Sequence, residues 1–467
     1  MAMTTETISL QRAATQAAQA LAARVDLGRI LLPGGAAYDE ATHVWNGAAT
    51  NRPALIVRCE TADEVGAAVR AARAHGLPLS IRGGGHDWAG RALRDGGLVV
   101  DLTHMRAVAV RDGVATVAGG ATAADVVAAA ERHGLTAVTG IVGAVGMAGL
   151  TLGGGYGRLN GRLGLAADNL RGAEVVLADG RAVVADETHE PELYWALRGG
   201  GGNFGVVTAL RVRLHPLATV LAGAVAFPWD QAPAVLRGYA DLLARAPDEL
   251  TADCAIVSAP DGAPTLAILP TWCGDPAAGA PFIDQIRALG APALDQVALM
   301  PYAAALGLGD QLAQGGRSWA VRTRTLAGLT PHSIATLVAG GASRTSPLST
   351  LNISHFHGAP ARVPVASTAF GLRRDHLMVQ IIAGWEPGDG DGDGDGARHR
   401  AWADGVSAAL APDALPGGYP NLLGPDDDEQ TVHAYGANTA RLLGAKARYD
   451  PDGVFTATAL PLPAPRR

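Results

Sequence analysis

The sequence predicts an α+β fold, and three observations carry that expectation. From about residue 52, short β-rich runs alternate with amphipathic helices without settling into a regular βαβ repeat. An Asp179-Gly180 pair joins two β-rich runs within 173–186, a strong hairpin signal because the pair accepts the backbone twist of a tight turn. After His215-Pro216 the texture shifts to longer apolar runs, and a proline closing a strand marks a domain boundary there.

The elements follow in order. Runs 54–58, 77–81, 98–102, 108–111 and 114–118 read as strands, being rich in β-branched residues, and helices are expected over 62–74 and 122–133 from their apolar periodicity. Past the hairpin, 190–197 is helical and 206–214 is a strand. Beyond the boundary, 220–227 and 265–272 are strand-like, and helices fall near 231–246 and 280–289. With 467 residues, 48% of them hydrophobic, the chain can form two or three packed units.

Composition narrows the function. A net charge of −7 gives no attractive field for a phosphate backbone, and no Lys/Arg stripe with interleaved aromatics occurs, so nucleic acid is not an expected partner. The three cysteines, Cys59, Cys254 and Cys273, form no C-x-x-C pair; they support neither a disulfide framework nor a thiolate zinc site, and they fit a reduced, cytoplasmic setting. The N-terminal run MAMTTETISLQRAATQAAQ lacks the basic and apolar regions of a signal peptide, so export is not expected. No charge interrupts 135–156, yet glycines at 140, 143, 146, 149, 153, 154 and 155 weaken any helix there, and a buried glycine-rich loop system is expected instead of a membrane span. The repeat 388–396 spaces Asp389, Asp391, Asp393 and Asp395 like the start of a calcium loop. Its twelfth position is Arg400 instead of a bidentate glutamate, so a flexible acidic loop is expected.

Three motifs carry chemistry. Arg82-Gly83-Gly84-Gly85-His86-Asp87 follows an apolar strand, and consecutive glycines let backbone N–H groups approach an anion without a Cβ in the way. A phosphate cradle is the natural reading and a tight turn the alternative. His86 stands at its lip, as a solvated residue or beside a bound cofactor. The second motif, 143–157, carries Gly143, Gly146, Gly149, Gly153, Gly154, Gly155 and Gly157 and suits a backbone that lines an extended ligand, with Tyr156 its one large polar side chain; the alternative is a glycine-rich packing interface. The third is 198–205, where Gly200, Gly202 and Gly205 satisfy G-x-G-x-x-G. A helix precedes it and a strand follows, the reverse of a dinucleotide-binding turn, so it reads as a glycine-rich corner. His355 and His357 flank Phe356 with strand spacing, but no further ligands accompany them, and no metal site is expected.

Taken together and in order, the motifs resemble the flavin domain of FAD-linked oxidases of the vanillyl-alcohol oxidase superfamily, in the berberine-bridge-enzyme-like branch. The resemblance runs over 52–216 and resumes at Tyr419-Pro420-Asn421, continuing through Tyr435, Asn438, Arg441 and Lys446 to Pro451. It implies an FAD-binding domain of two α+β subdomains (1–216), a substrate domain with a central antiparallel sheet covered by helices (217–415), and a return to the first domain (416–467). It also implies an FAD bonded to His86, a diphosphate held by Arg82 to Gly85, further cofactor contacts at Asp87 and along 143–157, and a cleft completed by Asn203, Gly205, Val207, Tyr419 and Asn421. Where many relatives carry a second, cysteinyl link, this chain has Val142, so a single attachment is expected.

The activity implied is oxidation of an alcohol, sugar or secondary metabolite by hydride transfer to flavin N5, with dioxygen reoxidising the cofactor. Tyr419 is the candidate base, provided its phenol is lowered from a pKa near 10. The stretch 363–370, where plant relatives carry a glutamate, offers only Ser367 and Thr368. Trp319, Asn352, His355, His357 and Arg362 are the candidate pocket residues. A non-oxidative cyclisation or lyase-like reaction on the same fold is the alternative.

Overall fold

The computed structural model describes residues 5–310, 314–387 and 396–461, so most of the acidic repeat lies outside the described residues. Those described form three sheets. In the first, the strands run in the order Ile30–Leu31, Leu55–Arg58, Leu98–Asp101, Leu79–Arg82, and the last three pair in parallel. The helix Ala62–Ala74 carries the chain from Leu55–Arg58 over to Leu79–Arg82, leaving room between them for Leu98–Asp101, and it is started by the Thr61 hydroxyl, which accepts the Glu64 N–H. One βαβ crossover therefore sits inside the α+β fold, and it aims the carboxyl end of Leu79–Arg82 into the first glycine loop.

The second sheet is antiparallel, in the order Val108–Arg111, Val114–Ala118, Val206–Pro216, Leu170–Val176, Ala182–Ala185. Its hairpin turns at Asp179-Gly180, where Gly180 takes φ +79°. The helix Thr439–Tyr449 returns to this unit and buries Leu442, Ala445 and Tyr449 in the same core as the sheet.

The third sheet is antiparallel, with the central order Leu250–Ser258, Thr350–Phe356, His376–Trp385, Ser318–Leu326 and with Pro264–Trp272 on the other side of Leu250–Ser258. The expected single strand over 220–227 is two, Thr219–Ala222 and Val225–Phe227. They part at Gly223, where a Cβ would lie 2.3 Å from the Gln296 carbonyl oxygen. Side chains alternate between faces. Cys254, Ile256, Leu351, Ile353, Val379 and Ile381 pack with the helices Ala232–Leu243, Pro276–Arg287, Pro331–Ala342 and Ala397–Leu410. The opposite face, with Asp253, Ala255, Asn352, Ser354, Gln380 and Trp319, is left to line a cavity.

Candidate functional site

The cavity has a volume of about 630 Å³ and lies between that open sheet face and the glycine loops of the first domain. Its floor consists of two backbones in contact. A Cβ on Gly84 would fall 2.5 Å from the Gly146 nitrogen, and one on Gly146 would fall 2.5 Å from the Gly84 nitrogen. Gly83, Gly84, Gly85, Gly119, Gly146, Gly149, Gly202, Gly205 and Val207 all line it. A floor bare of side chains, with N–H groups running along it, suits a diphosphate and the extended molecule attached to it.

His86 lies on the wall. Trp45 stacks on its ring at 4.3 Å between centroids, and Trp319 stacks on Trp45 at 5.4 Å. The Trp45 N–H donates to the Gly85 carbonyl, while Asn46 takes the Trp319 N–H and donates to its carbonyl, so the stack is tied to both domains. The His86 Nε2 is buried and has no hydrogen-bond partner among the described residues. Burial pushes the imidazole down to about 4, leaving it neutral with a ring nitrogen uncommitted at neutral pH. Val142 lines the cavity as well. A buried unsatisfied nitrogen beside a backbone cradle fits a flavin held at His86, and the residues present therefore suit FAD.

Other expected residues sit differently. Arg82 does not line the cavity; its guanidinium donates to the Ala41 and His43 carbonyls and braces the segment that leads to Trp45. Asp87 is at the wall, with its carboxylate held by Arg91 at 2.7 Å. Gly143 lies off the cavity, its N–H donating to Asp310 at 2.7 Å. The run 153–157 is packing, not lining: a Cβ would meet Asn421 at Gly153, Phe370 at Gly154, Ala166 at Gly155 and the Thr139 carbonyl at Gly157. Tyr156 is buried behind the site, against Phe356, Phe370 and Tyr419. Asn203 is also buried off the cavity. It donates to Gly200 and Thr458 and accepts the Thr458 N–H, and its carbonyl takes the Lys446 ammonium. That brings Thr456 and Thr458 to the cavity wall.

Tyr419 and Asn421 do line the cavity. The Tyr419 hydroxyl accepts the Gly155 N–H and the Asn421 amide, each at 2.9 Å. Burial outweighs these donors and pushes the phenol up to about 12. Among the described residues no cation offsets that burial, so the protein by itself leaves the hydroxyl protonated at neutral pH and any lowering falls to the bound flavin. Of the pocket candidates, Trp319 and Asn352 line the cavity. His355 and His357 stack on each other at 3.8 Å outside it, and Arg362 pairs with Asp248 at the surface. Strand spacing put the two histidines on one side, but that side packs against the 157–161 segment, where Asn160 donates to the His355 carbonyl. Sequence reasoning missed Trp45, Gly119, Arg158, Asp253 and Gln380 on the wall. An aspartate inside the apolar run 250–258 was the one signal that marked any of them.

His376 behind the site gives a pH prediction. Its Nδ1–H donates to the Arg374 carbonyl at 2.6 Å, so Nε2 accepts the Tyr156 hydroxyl at 2.7 Å. Burial lowers it from 6.5 to about 4. The unfolded chain binds a proton that the folded chain refuses; this stability is complete above pH 6.5 and is lost as pH falls toward 4, about 3 kcal/mol in all. His376→Gln is expected to flatten the slope of Tm against pH in that window, and an unchanged slope contradicts the assignment.

Among the described residues no helix is long and apolar enough to cross a membrane, and no group of three or more His, Cys, Asp or Glu could hold a metal ion. Fold and cavity suit a flavin-binding enzyme, and comparison with known proteins gives its family. Residues 53–186 match the FAD binding domain family and 419–459 the family described as berberine and berberine like. The FAD-linked oxidoreductase aurO of Gibberella zeae is 31% identical over 431 residues, 90% of this chain and 82% of that one. The (R)-6-hydroxynicotine oxidase of Paenarthrobacter nicotinovorans is 35% identical over 280 residues, 59% of this chain and 61% of that one. The crystal structure of 6-hydroxy-D-nicotine oxidase from Arthrobacter nicotinovorans superposes with a TM-score of 0.84 at 28% identity, covering 93% of this chain and 98% of that one. The chain belongs to the FAD-linked oxidases of the vanillyl-alcohol oxidase superfamily, in the berberine-bridge-enzyme-like branch.

Proposed function

We propose that the enzyme carries its FAD through one covalent bond, at His86, and oxidises a C–H next to an oxygen or nitrogen in an alcohol, sugar or secondary metabolite. The observation that carries this is the neutral His86 imidazole, with an unpartnered Nε2 at the lip of the Gly84–Gly146 floor. Bound FAD supplies acceptance of a hydride at N5, with dioxygen as the final electron acceptor. The Acremonium strictum glucooligosaccharide oxidase carries a 6-S-cysteinyl, 8α-N1-histidyl FAD; here Val142 has no thiol to offer, which supports a single link.

The chain's own residues divide the work. Gly83 to Gly85 and Gly146 hold the diphosphate by their backbones, and the Trp45–Trp319 stack fixes the His86 ring. Tyr419 keeps its proton and, with both lone pairs engaged by Gly155 and Asn421, turns its O–H toward a substrate oxygen. The raised phenol is the one observation that favours the second reading, a non-oxidative cyclisation or lyase-like reaction.

Anaerobic mixing with (R)-6-hydroxynicotine and with gluco-, chito- and xylo-oligosaccharides separates the two. Bleaching of the yellow flavin band supports oxidation, whereas product formed over an unbleached flavin contradicts it. With a bleaching substrate, Tyr419→Phe is expected to slow the reduction about hundredfold while flavin content holds. An unchanged rate removes Tyr419 from the chemistry.

A further inference from the structure

Arg158 is the first charged residue after the uncharged stretch 135–156. It lines the cavity at 6% exposure and, among the described residues, makes no hydrogen bond or ion pair; its Nε is buried without a partner. An unanswered guanidinium in such a place is strongly unfavourable unless a ligand completes it. Its electrostatic neighbours are Asp253, on the open sheet face, and Tyr302.

Asp253 is the one carboxylate on that sheet face among the described residues. It is 9% exposed, and its Oδ1 accepts the His355 N–H at 2.9 Å. Among the described residues its Oδ2 makes no hydrogen bond. Burial raises the carboxyl to about 6, against the His355 N–H and the pull of Arg158. Around the two groups the wall is apolar or uncharged: Ala255, Val257, Val321 and Ile382, with Gln380 donating to Ser354 at 3.1 Å.

We propose that Arg158 and Asp253 form a two-point anchor for a substrate carrying a carboxylate beside a hydroxyl. The guanidinium takes the carboxylate through paired N–H donors, and Asp253 Oδ2 accepts the hydroxyl hydrogen. The proposal rests on the reading of this cavity as shared by FAD and substrate, and it names the substrate class as hydroxy acids.

The test titrates oxidised holoprotein with mandelate, with phenylacetate, which lacks the hydroxyl, and with methyl mandelate, which lacks the charge. Binding is read from the flavin difference spectrum, so no turnover is needed. Mandelate is expected to bind most tightly. Arg158→Gln should weaken it about ten- to hundredfold while methyl mandelate is unaffected, and Arg158→Lys should recover part of the loss. Asp253→Asn should erase the preference for mandelate over phenylacetate. Flavin content and Tm establish that each variant is folded. The anchor is overturned if mandelate causes no spectral change in the unaltered protein, or if Arg158→Gln binds it equally well. It is likewise overturned if that variant shifts the flavin midpoint potential but not mandelate affinity, because the guanidinium then serves the cofactor. A protein that binds mandelate by this pattern, yet forms product from a substrate without bleaching its flavin, keeps the anchor and loses the oxidase reading.

Discussion

His86→Ala is expected to leave a colourless pellet after acid precipitation, whereas the unaltered protein stays yellow. Acid unfolds the chain and releases any flavin held by packing and hydrogen bonds alone, so retained colour reports a covalent bond. The substitution removes the only imidazole nitrogen without a partner at the cavity wall among the described residues. No second attachment is expected to stand in for it. Val142 occupies the wall of the neighbouring loop, and Cys59, Cys254 and Cys273 are buried, with thiols that burial raises far above their ordinary value. The variant should also lose some flavin during purification, since the Trp45 ring loses its stacking partner. A yellow pellet from His86→Ala places the bond elsewhere.

Gly84→Ala is expected to abolish the cradle. The added methyl would meet the Gly146 nitrogen and Cα at 2.5 and 2.6 Å, and both atoms are backbone that cannot swing aside. Either the two loops separate or the chain strains, at a cost of about 1–3 kcal/mol. That energy corresponds to about a ten- to hundredfold loss in the population able to take up flavin. The ratio of flavin to protein absorbance should fall accordingly, and Tm with it. Gly444→Ala is the matched control: its Cβ would meet nothing within 4 Å in the helix Thr439–Tyr449, and both readings should hold. A fully loaded Gly84→Ala protein contradicts the description of the floor.

Local pattern made much of this legible. The hairpin at Asp179-Gly180 and the helix Ala62–Ala74 rest on turn chemistry and periodicity, which are local properties. The parallel pairing of Leu55–Arg58 and Leu79–Arg82 with Leu98–Asp101 was not, because periodicity does not say which strand is the neighbour. Glycine runs are ambiguous in a specific way: each marks a close approach without saying to what. At Gly84 and Gly146 two backbones meet and leave an open floor, whereas at Gly157 the visitor is the Thr139 carbonyl, at 1.7 Å from a Cβ. That is why 153–157 resembled lining and proved to be packing. Trp45, Arg158 and Asp253 belong to no motif; they are brought together only when the second sheet face closes over the first domain.

The covalent bond at His86 is tested most directly by mass spectrometry of proteolytic fragments from the purified protein. The fragment containing His86 is expected to carry the mass of FAD less two hydrogens, with fragmentation placing it on the imidazole, and the fragment containing Val142 is expected to be unmodified. An unmodified His86 fragment from protein that remains yellow in acid would contradict it.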